Sequence, residues 1–337
     1  MAALLVVAVH AGDMFSAFGI PHFGGVGVDL FFVISGFIMI YVTRDKKVTP
    51  VHFATDRIVR IVPMYWIMTF LVFGLAIVAP RLFQNTRGDF VELMKSLFFI
   101  PFLKGGVPRP VLFVGWTLNY EMFFYLMFSI GLVLPYRIGV ALVMAVMVAF
   151  AALGSVFHFH DVLLSFYANL KLAEFAAGMG IGLIYPYLPS PKTAAAKFGA
   201  LAGLVVGLAC LVTLQVFITD DTPKTLANLV SACVVMVSAL CLEKGGWSVQ
   251  NKWILTLGNA SYSLYLTHAL IAIAAVKVFV SHGAHIWLAL VMLPLTYIVC
   301  IVVGVCAYTY VEKPVTQWLR SRIGNAAKSL RVATPSG

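Results

Sequence analysis

Residues 27–37 read Gly27-Val28-Asp29-Leu30-Phe31-Phe32-Val33-Ile34-Ser35-Gly36-Phe37, an apolar segment that is long enough to enter a bilayer and carries one acid, Asp29. A carboxylate costs at least about 2.5 kcal/mol to insert into hydrocarbon, so an acid that is kept there usually marks a functional site. The segment lies between His10 and a basic pair, Arg57 and Arg60. Its position between these residues makes the segment a candidate functional site.

The composition is that of an integral membrane protein. The 337 residues are 61% hydrophobic and 11% charged, with a mean hydropathy of +0.97. A helix needs about 20 apolar residues to cross ~30 Å of hydrocarbon, and its backbone groups must be satisfied internally. The sequence therefore predicts an all-α, polytopic membrane bundle of about ten transmembrane helices, at 1–11, 26–42, 61–80, 111–134, 138–156, 162–185, 198–217, 225–242, 254–280 and 286–310.

The distribution of lysine and arginine predicts that both termini are cytoplasmic. With that orientation 15 of these residues fall in inside segments, and 6 fall outside: Arg81, Arg87, Lys95, Lys104, Arg109 and Lys224. Five of these six outside residues lie in the loop 81–110. Either a helix is misplaced in this prediction, or the loop forms an outer surface that binds an anionic polymer. Positive inside loops also account for the net charge of +10, so no nucleic-acid partner is expected.

The chain is predicted to be one membrane domain over 1–318, followed by a polar cytoplasmic tail at 319–337. The first apolar run would span only about 16 Å as a helix. It is therefore either a half-span or, as we expect, a helix truncated at its N-terminus. All five cysteines fall within predicted helices and form no CxxC pair. They are interpreted as packing residues, and no metal site is predicted.

His10 and Asp29 each allow two interpretations. An imidazole titrates near neutral pH, so His10 could be a general base, or it could simply mark the end of the first helix. Asp29 follows a glycine-rich turn, where it could cap the second helix. Alternatively it orients a base or holds a substrate hydroxyl.

The spacing of Arg57 and Arg60 places them on one face at the start of a helix. Two adjacent guanidinium groups suit a phosphate, but anionic lipid headgroups would also explain them. Further along, Trp116-Thr117-Leu118-Asn119-Tyr120-Glu121 opens an apolar helix with a second membrane acid. Glu121 is either functional or held near the headgroups by an aromatic belt.

Two other polar patterns lie in apolar helices. Lys171 and Glu174 are three residues apart and are expected to neutralise one another. The stripe Ser261-Tyr262-Ser263-Leu264-Tyr265-Leu266-Thr267-His268 either lines a cavity or joins helices by hydrogen bonds. The chain has no GxSxG elbow, Walker A loop or HExxH motif, which disfavours a serine hydrolase, an ordinary ATP-driven pump and a zincin.

Together these blocks resemble the acyltransferase-3 family of multi-pass membrane acyltransferases, and in particular the bacterial exopolysaccharide O-acetyltransferases. The likeness covers nearly the whole chain. It rests on the opening run to His10, the block at 27–37, Arg57-Ile-Val-Arg60, Trp116-Thr-Leu…Glu121, Glu174-Phe…Gly178-Met, Ser261-Tyr-Ser…Tyr265-Leu…His268 and Tyr310-Val-Glu312-Lys-Pro314. The family usually has an Arg-Gly pair just before the first apolar run, and here that arginine would fall upstream of Met1.

The resemblance implies transfer of an acyl group, usually acetyl, from acetyl-CoA to a sugar hydroxyl of a cell-surface or exopolysaccharide glycan. His10 matches the family's catalytic histidine. Arg57 and Arg60 match an arginine pair that the family is thought to use on its acyl-CoA side. Asp29 or Glu121 would orient His10. Ser35, Trp116 or a backbone amide would stabilise the oxyanion.

The expected partners are acyl-CoA, a polysaccharide or lipid-linked oligosaccharide acceptor and membrane lipids, with no permanently bound cofactor. The expected location is the bacterial inner membrane. The alternatives are a transporter or flippase of lipid-linked saccharides, which these patterns would suit equally well, and a membrane acyltransferase of the unrelated MBOAT type. The arginine pair and the 27–37 block argue against the latter.

Overall fold

A computed structural model describes residues 2–18, 25–80, 88–104, 106–157, 159–218, 220–283 and 285–333. Arg81, Arg87 and the side chains of Lys328 and Arg331, which entered the charge count above, lie outside the described part. The described residues form 14 α-helices: α1 (Ala2–Gly12), α2 (Val26–Thr43), α3 (Pro50–Val78), α4 (Phe90–Leu97), α5 (Trp116–Gly131), α6 (Tyr136–Val156), α7 (Val162–Tyr167), α8 (Lys171–Ile184), α9 (Ala194–Phe217), α10 (Asp221–Lys244), α11 (Lys252–Asn259), α12 (Ser261–Ser281), α13 (Ile286–Ala307) and α14 (Lys313–Ala333).

Shorter elements complete the described chain. Turns of 3₁₀-helix lie at Asp13–Phe18, Phe113–Gly115 and Tyr185–Tyr187, and a π-helical turn at Tyr308–Glu312 joins α13 to α14. A small antiparallel hairpin pairs β1 (Leu103–Lys104) with β2 (Val107–Pro108). The hairpin belongs to the loop that connects α4 to α5.

The all-α membrane class is confirmed. Within the described residues six helical stretches are long and apolar enough to cross a membrane: Pro50–Val78, Tyr136–Val156, Ala194–Leu214, Asp221–Lys244, Ser261–Ser281 and Ile286–Asn325. Of the four other predicted segments, three form the shorter helices α1, α2 and α5, and the fourth is divided into α7 and α8. That all ten cross the membrane, with both termini cytoplasmic, stays a prediction.

The boundaries differ from the predicted segments at α3. This helix begins at Pro50, eleven residues before the predicted segment. The Thr49 hydroxyl accepts a hydrogen bond from the His52 N–H at 3.3 Å, and proline is favoured at the first helical position because it has no N–H to leave unpaired. Consequently Arg57 and Arg60 lie within the same continuous helix as the apolar residues that follow them.

Two predicted segments are divided in the structure. The segment 162–185 breaks into α7 and α8, where the Asn169 side chain accepts from the Lys171 N–H at 3.0 Å. The segment 254–280 breaks at Ala260 into α11 and α12. The first break places Lys171 and Glu174 in the first turn of a separate helix.

Glycines allow α2 and α8 to cross in close contact. A Cβ atom at Gly36 would collide with the Phe175 carbonyl oxygen, and one at Gly178 would collide with the Val33 carbonyl oxygen. Small residues at a membrane helix crossing let the two backbones approach closely. Gly36 of the 27–37 segment is thus explained by its packing, which holds α2 against α8.

The main core lies between α2, α5 and α8 and is rich in aromatic rings. Phe175 stacks on Phe32 with ring centroids 4.5 Å apart and lies 4.6 Å from the Phe124 ring. All three side chains are fully buried. This core holds α1 and α12 beside α2, and these three helices line the candidate site.

Candidate active site

Three cavities lie in series along α1, and we name each by a residue in its wall. The arginine cavity has a volume of about 300 Å³, and its wall includes Ala2, Ala3, Ser35, Arg57, Arg60 and Glu121. The histidine chamber, of about 130 Å³, includes Val9, His10 and Trp116. The lysine cavity, of about 290 Å³, includes His10, Asp13 and Lys277. The predicted residues, Asp29 apart, line the first two.

Shared walls show that the cavities adjoin one another. Val6, Val28 and Tyr265 line both the arginine cavity and the histidine chamber. His10 and Phe113 line both the histidine chamber and the lysine cavity. From Ala3 to His10 the rise along α1 is about 10 Å. His10 therefore lies where the histidine chamber meets the lysine cavity, about one helical turn beyond Val6 and two beyond Ala3 in the wall of the arginine cavity.

Two polar residues flank His10. Its Nδ1 lies 3.6 Å from Oδ2 of Asp13, in the 3₁₀ turn that continues α1. On α12, the His268 ring lies 5.2 Å from the His10 ring, centroid to centroid. The carboxylate that the structure places beside His10 is thus Asp13, and a second imidazole packs against the first.

His268 is held rigidly by its own helix. Its Nδ1 lies 3.2 Å from the Leu264 carbonyl oxygen, which can only accept, so this bond requires the proton on Nδ1. The residue is 0% exposed, and Nε2 has no hydrogen-bond partner among the described residues. An imidazole fixed in this way provides a firm surface for the His10 ring.

Glu121 lies in the wall of the arginine cavity, in a network with two hydroxyl groups. Its Oε1 accepts hydrogen bonds from the Tyr125 hydroxyl and, at 3.4 Å, from the Ser35 hydroxyl. Its Oε2 is buried and has no partner within the described part of the chain. Because carboxylate oxygens accept several hydrogen bonds, Glu121 can take another from a molecule in the cavity.

Arg57 is oriented by aromatic rings. Its guanidinium carbon lies 5.7 Å from the Phe53 ring centroid and 5.9 Å from that of Tyr125. Arg60 lies one helical turn further along, and both arginines line the arginine cavity. The side-by-side arrangement predicted from their spacing is therefore present. Two guanidinium groups held in this way can bind phosphate oxygens.

Asp29 belongs to a separate buried cluster. Its Oδ1 is paired with the Lys171 ammonium and its Oδ2 accepts from the Asn228 side chain at 2.9 Å. The Lys171 ammonium also pairs with Oε1 of Glu174 at 3.1 Å. Asp29 and Glu174 are 0% exposed. The cluster joins α2, α8 and α10, and it contains two acids and one lysine.

The polar stripe 261–268 does both of the things predicted as alternatives. The Tyr265 hydroxyl donates to the Val114 carbonyl oxygen at 2.8 Å, and the Tyr262 hydroxyl donates to the Ile61 carbonyl oxygen at 2.7 Å. Both tyrosines also line the arginine cavity. The stripe thus joins helices by hydrogen bonds and forms a cavity wall.

Sequence reasoning missed Asp13, and it named His268 only as part of the stripe. Asp13 lies three residues after His10, a spacing that brings side chains together on a helical turn and was the available signal. His268 is 258 positions away in the chain, so only the packing of α1 against α12 reveals the pairing. Among the described residues there is no cluster of three or more histidine, cysteine or acidic side chains that could hold a metal.

Comparison with known proteins gives the family. The acyltransferase domain of the acyltransferase-3 family matches residues 1–305. An exopolysaccharide production protein of Rhizobium meliloti, ExoZ, is 34% identical over 93% of this chain and 96% of its own length. A peptidoglycan O-acetyltransferase of Listeria monocytogenes, OatA, is 20% identical over 94% of this chain and 54% of its own length. No solved structure gives a significant match. The chain belongs to the acyltransferase-3 family of membrane acyltransferases.

Proposed function

We propose that this O-acyltransferase moves an acetyl group from acetyl-CoA to a sugar hydroxyl of an exopolysaccharide or other cell-surface glycan. One observation carries the proposal: His10 lines two cavities at once, one adjoining the arginine cavity and the other holding Lys277. A donor and an acceptor could therefore approach the same imidazole from opposite directions. The similarity to an exopolysaccharide production protein and to a peptidoglycan O-acetyltransferase supports a glycan acceptor.

The donor is assigned to the arginine cavity. Arg57 and Arg60 would bind CoA phosphates, which bear the charge that guanidinium groups recognise. Apolar walls from Ala3 and Phe31 suit the pantetheine arm, and Oε2 of Glu121 would accept a hydrogen bond from one of its amide N–H groups. The arm then points along α1 and brings the thioester towards His10.

The acceptor is assigned to the lysine cavity. Asp13 and Lys277 line it together with His10, and hydroxyl groups of a sugar can donate to a carboxylate and accept from an ammonium. An acceptor there has its hydroxyl beside the imidazole without entering the arginine cavity. A polysaccharide end or a lipid-linked oligosaccharide would fit this arrangement.

His10 acts as the general base in the proposed reaction. It takes the proton from the acceptor hydroxyl while that oxygen attacks the thioester carbonyl carbon. The tetrahedral intermediate collapses with formation of the C–O ester bond and cleavage of the C–S bond. The proton passes from His10 to the departing thiolate, so that the products are the acetylated sugar and free CoA.

Neighbouring residues support this step. Asp13 would stabilise the imidazolium that forms transiently, as a carboxylate behind a histidine does, and His268 would keep the His10 ring in place. Of the oxyanion donors considered, Trp116 lines the same chamber as His10, whereas the Ser35 hydroxyl donates to Glu121. We therefore assign the oxyanion to Trp116 or a backbone amide.

Asp29 is assigned a positioning role. Both of its oxygens are engaged by Lys171 and Asn228, on helices other than its own. These bonds hold α2 against α8 and α10, and α2 contributes Val28 and Ser35 to the cavities. The ten predicted crossings, the cytoplasmic termini and the bacterial inner membrane complete the proposal, with acetyl-CoA approaching from the cytoplasm.

The test is to measure base-labile acetate on the surface polysaccharide of the source cell. A deletion strain is compared with the same strain carrying wild-type protein or the His10→Ala variant, at matched protein levels in the membrane. We expect acetate to be lost on deletion and restored by the wild type alone. Unchanged acetate in every strain would contradict the proposal and favour a transporter or flippase of lipid-linked saccharides.

A further inference from the structure

The histidine chamber is a small volume lined mainly by apolar side chains. Val6, Val9 and Val28 contribute to its wall from α1 and α2. Phe113 and Val114, in the 3₁₀ turn before α5, contribute from the other side. His10, Trp116 and Tyr265 supply the polar side chains of the wall, and the Tyr265 hydroxyl is bonded to the Val114 carbonyl oxygen. A chamber with this lining suits an alkyl group better than a charged or hydroxylated one.

The position of the chamber determines what occupies it, given the proposed function. The thioester carbonyl must lie beside His10, and the pantetheine arm comes from the arginine cavity. The acceptor hydroxyl comes from the lysine cavity, on the far side of His10. The remaining substituent of the carbonyl carbon is the acyl chain. Because the histidine chamber lies between the arginine cavity and His10, the acyl chain lies in this chamber together with the end of the pantetheine arm.

The volume of the chamber limits the length of that chain. It measures about 130 Å³, and an engineered protein cavity of about 150 Å³ holds one benzene molecule, with six heavy atoms. An acetyl group has three non-hydrogen atoms, a butyryl group five and an octanoyl group nine. An octanoyl group is too large for the chamber even without the end of the pantetheine arm, whereas acetyl and butyryl groups are below this upper limit.

We propose that the histidine chamber is the acyl pocket of this enzyme and restricts the donor to acyl groups of about four carbons or fewer. The inference rests on the proposed function and adds a specificity site to it. Val114 and Val9 set the size. Val114 is 1% exposed and is held by its own backbone, whose carbonyl accepts from Thr117 and Tyr265. Changing its side chain leaves these bonds available.

The experiment compares CoA thioesters of increasing chain length. Protein in lipid nanodiscs is mixed with acetyl-, butyryl-, hexanoyl- or octanoyl-CoA and with surface polysaccharide from the deletion strain, and the released thiol is followed. For the wild type we expect kcat/KM to fall at least about tenfold between butyryl- and octanoyl-CoA, since a misfit of one methylene already changes selectivity by about 10–200-fold.

Two variants should shift the selectivity in opposite directions. Val114→Ala enlarges the chamber and should raise the ratio of hexanoyl- to acetyl-CoA use at least about tenfold. Val9→Leu reduces the chamber and should lower butyryl-CoA use relative to acetyl-CoA. Val143→Ala is the matched control, because Val143 is also buried, at 4% exposed, but lies on α6 in the main core and lines none of the three cavities.

The outcomes separate the pocket from the reaction. If the wild type uses octanoyl-CoA as well as acetyl-CoA, or if Val114→Ala and Val143→Ala show the same ratio, the acyl-pocket assignment is wrong while the transfer reaction stands. If the wild type uses no CoA thioester at all, the proposed donor is wrong, and the acyl-pocket assignment is wrong as well.

Discussion

Replacing Lys171 by methionine removes the cation from the buried cluster and leaves Asp29 and Glu174 without their shared partner. Both acids are 0% exposed. Removing one member of a buried ion pair destabilises a protein by about 3–5 kcal/mol, since an uncompensated charge stays behind. At roughly 2 °C per kcal/mol for a large domain, the unfolding midpoint should fall by about 6–10 °C.

The matched control is an exposed ion pair. Arg320 lies 3.4 Å from Asp56, with side chains that are 54% and 37% exposed. Surface pairs contribute about 0–1 kcal/mol, so Arg320→Met should lower the midpoint by no more than about 2 °C. Both variants are heated in detergent, and the fraction that stays monodisperse is measured by size-exclusion chromatography.

A third variant tests whether charge imbalance is the cause. Asp29→Asn, Glu174→Gln and Lys171→Met together give a neutral cluster of similar volume. Neutral replacements of buried ion pairs are often as stable as the original, so most of the loss should be recovered. The electrostatic account of the cluster is refuted if Lys171→Met lowers the unfolding midpoint no more than Arg320→Met does. It is also refuted if the triple variant has as low a midpoint as Lys171→Met.

Three further predictions concern the donor, the helix crossing and the second histidine. Arg57→Ala with Arg60→Ala should weaken acetyl-CoA binding, measured by calorimetry, at least about tenfold, since each hydrogen bond to a charged group contributes about 1.5–3 kcal/mol; unchanged affinity would assign the pair to lipid headgroups. Gly178→Val should destabilise the protein by about 1–3 kcal/mol or more in the thermal assay, because a Cβ atom at this position would collide with the Val33 carbonyl oxygen. A variant as stable as the wild type would contradict the close crossing of α2 and α8. His268→Ala should lower kcat by up to about 100-fold, because a small misplacement of the base His10 slows the reaction strongly. It should leave KM for acetyl-CoA unchanged, because His268 does not line the arginine cavity. An unchanged kcat would show that His268 does not position His10.

Much of the architecture follows from local sequence signals. The apolar segments form helices because a chain in lipid must satisfy its own backbone, and this constraint does not depend on distant residues. The three-residue spacing of Arg57 and Arg60 predicts that they lie on one face of a helix, and this also depends only on local sequence. The expected pairing of Lys171 with Glu174 is confirmed at 3.1 Å.

The remaining features depend on contacts between distant parts of the chain. Asp29 pairs with residues 142 and 199 positions away, so a single sequence could not distinguish a catalytic acid from one held in an ion cluster. The pairing of His10 with His268 likewise needs α1 packed beside α12. The breaks at 168–170 and at Ala260 were missed because they interrupt segments that are apolar on both sides.

The central claim is that His10 is the base at the junction of the donor and acceptor cavities. The direct measurement is transfer of radiolabelled acetyl from acetyl-CoA to surface polysaccharide of the deletion strain, using purified protein in nanodiscs. Wild type, His10→Ala and His282→Ala are compared, the last because His282 is an exposed histidine at the end of α12. We predict that His10→Ala stays folded and loses about 10²–10⁴-fold in rate, while His282→Ala keeps wild-type activity. Transfer by His10→Ala at the wild-type rate would contradict the account.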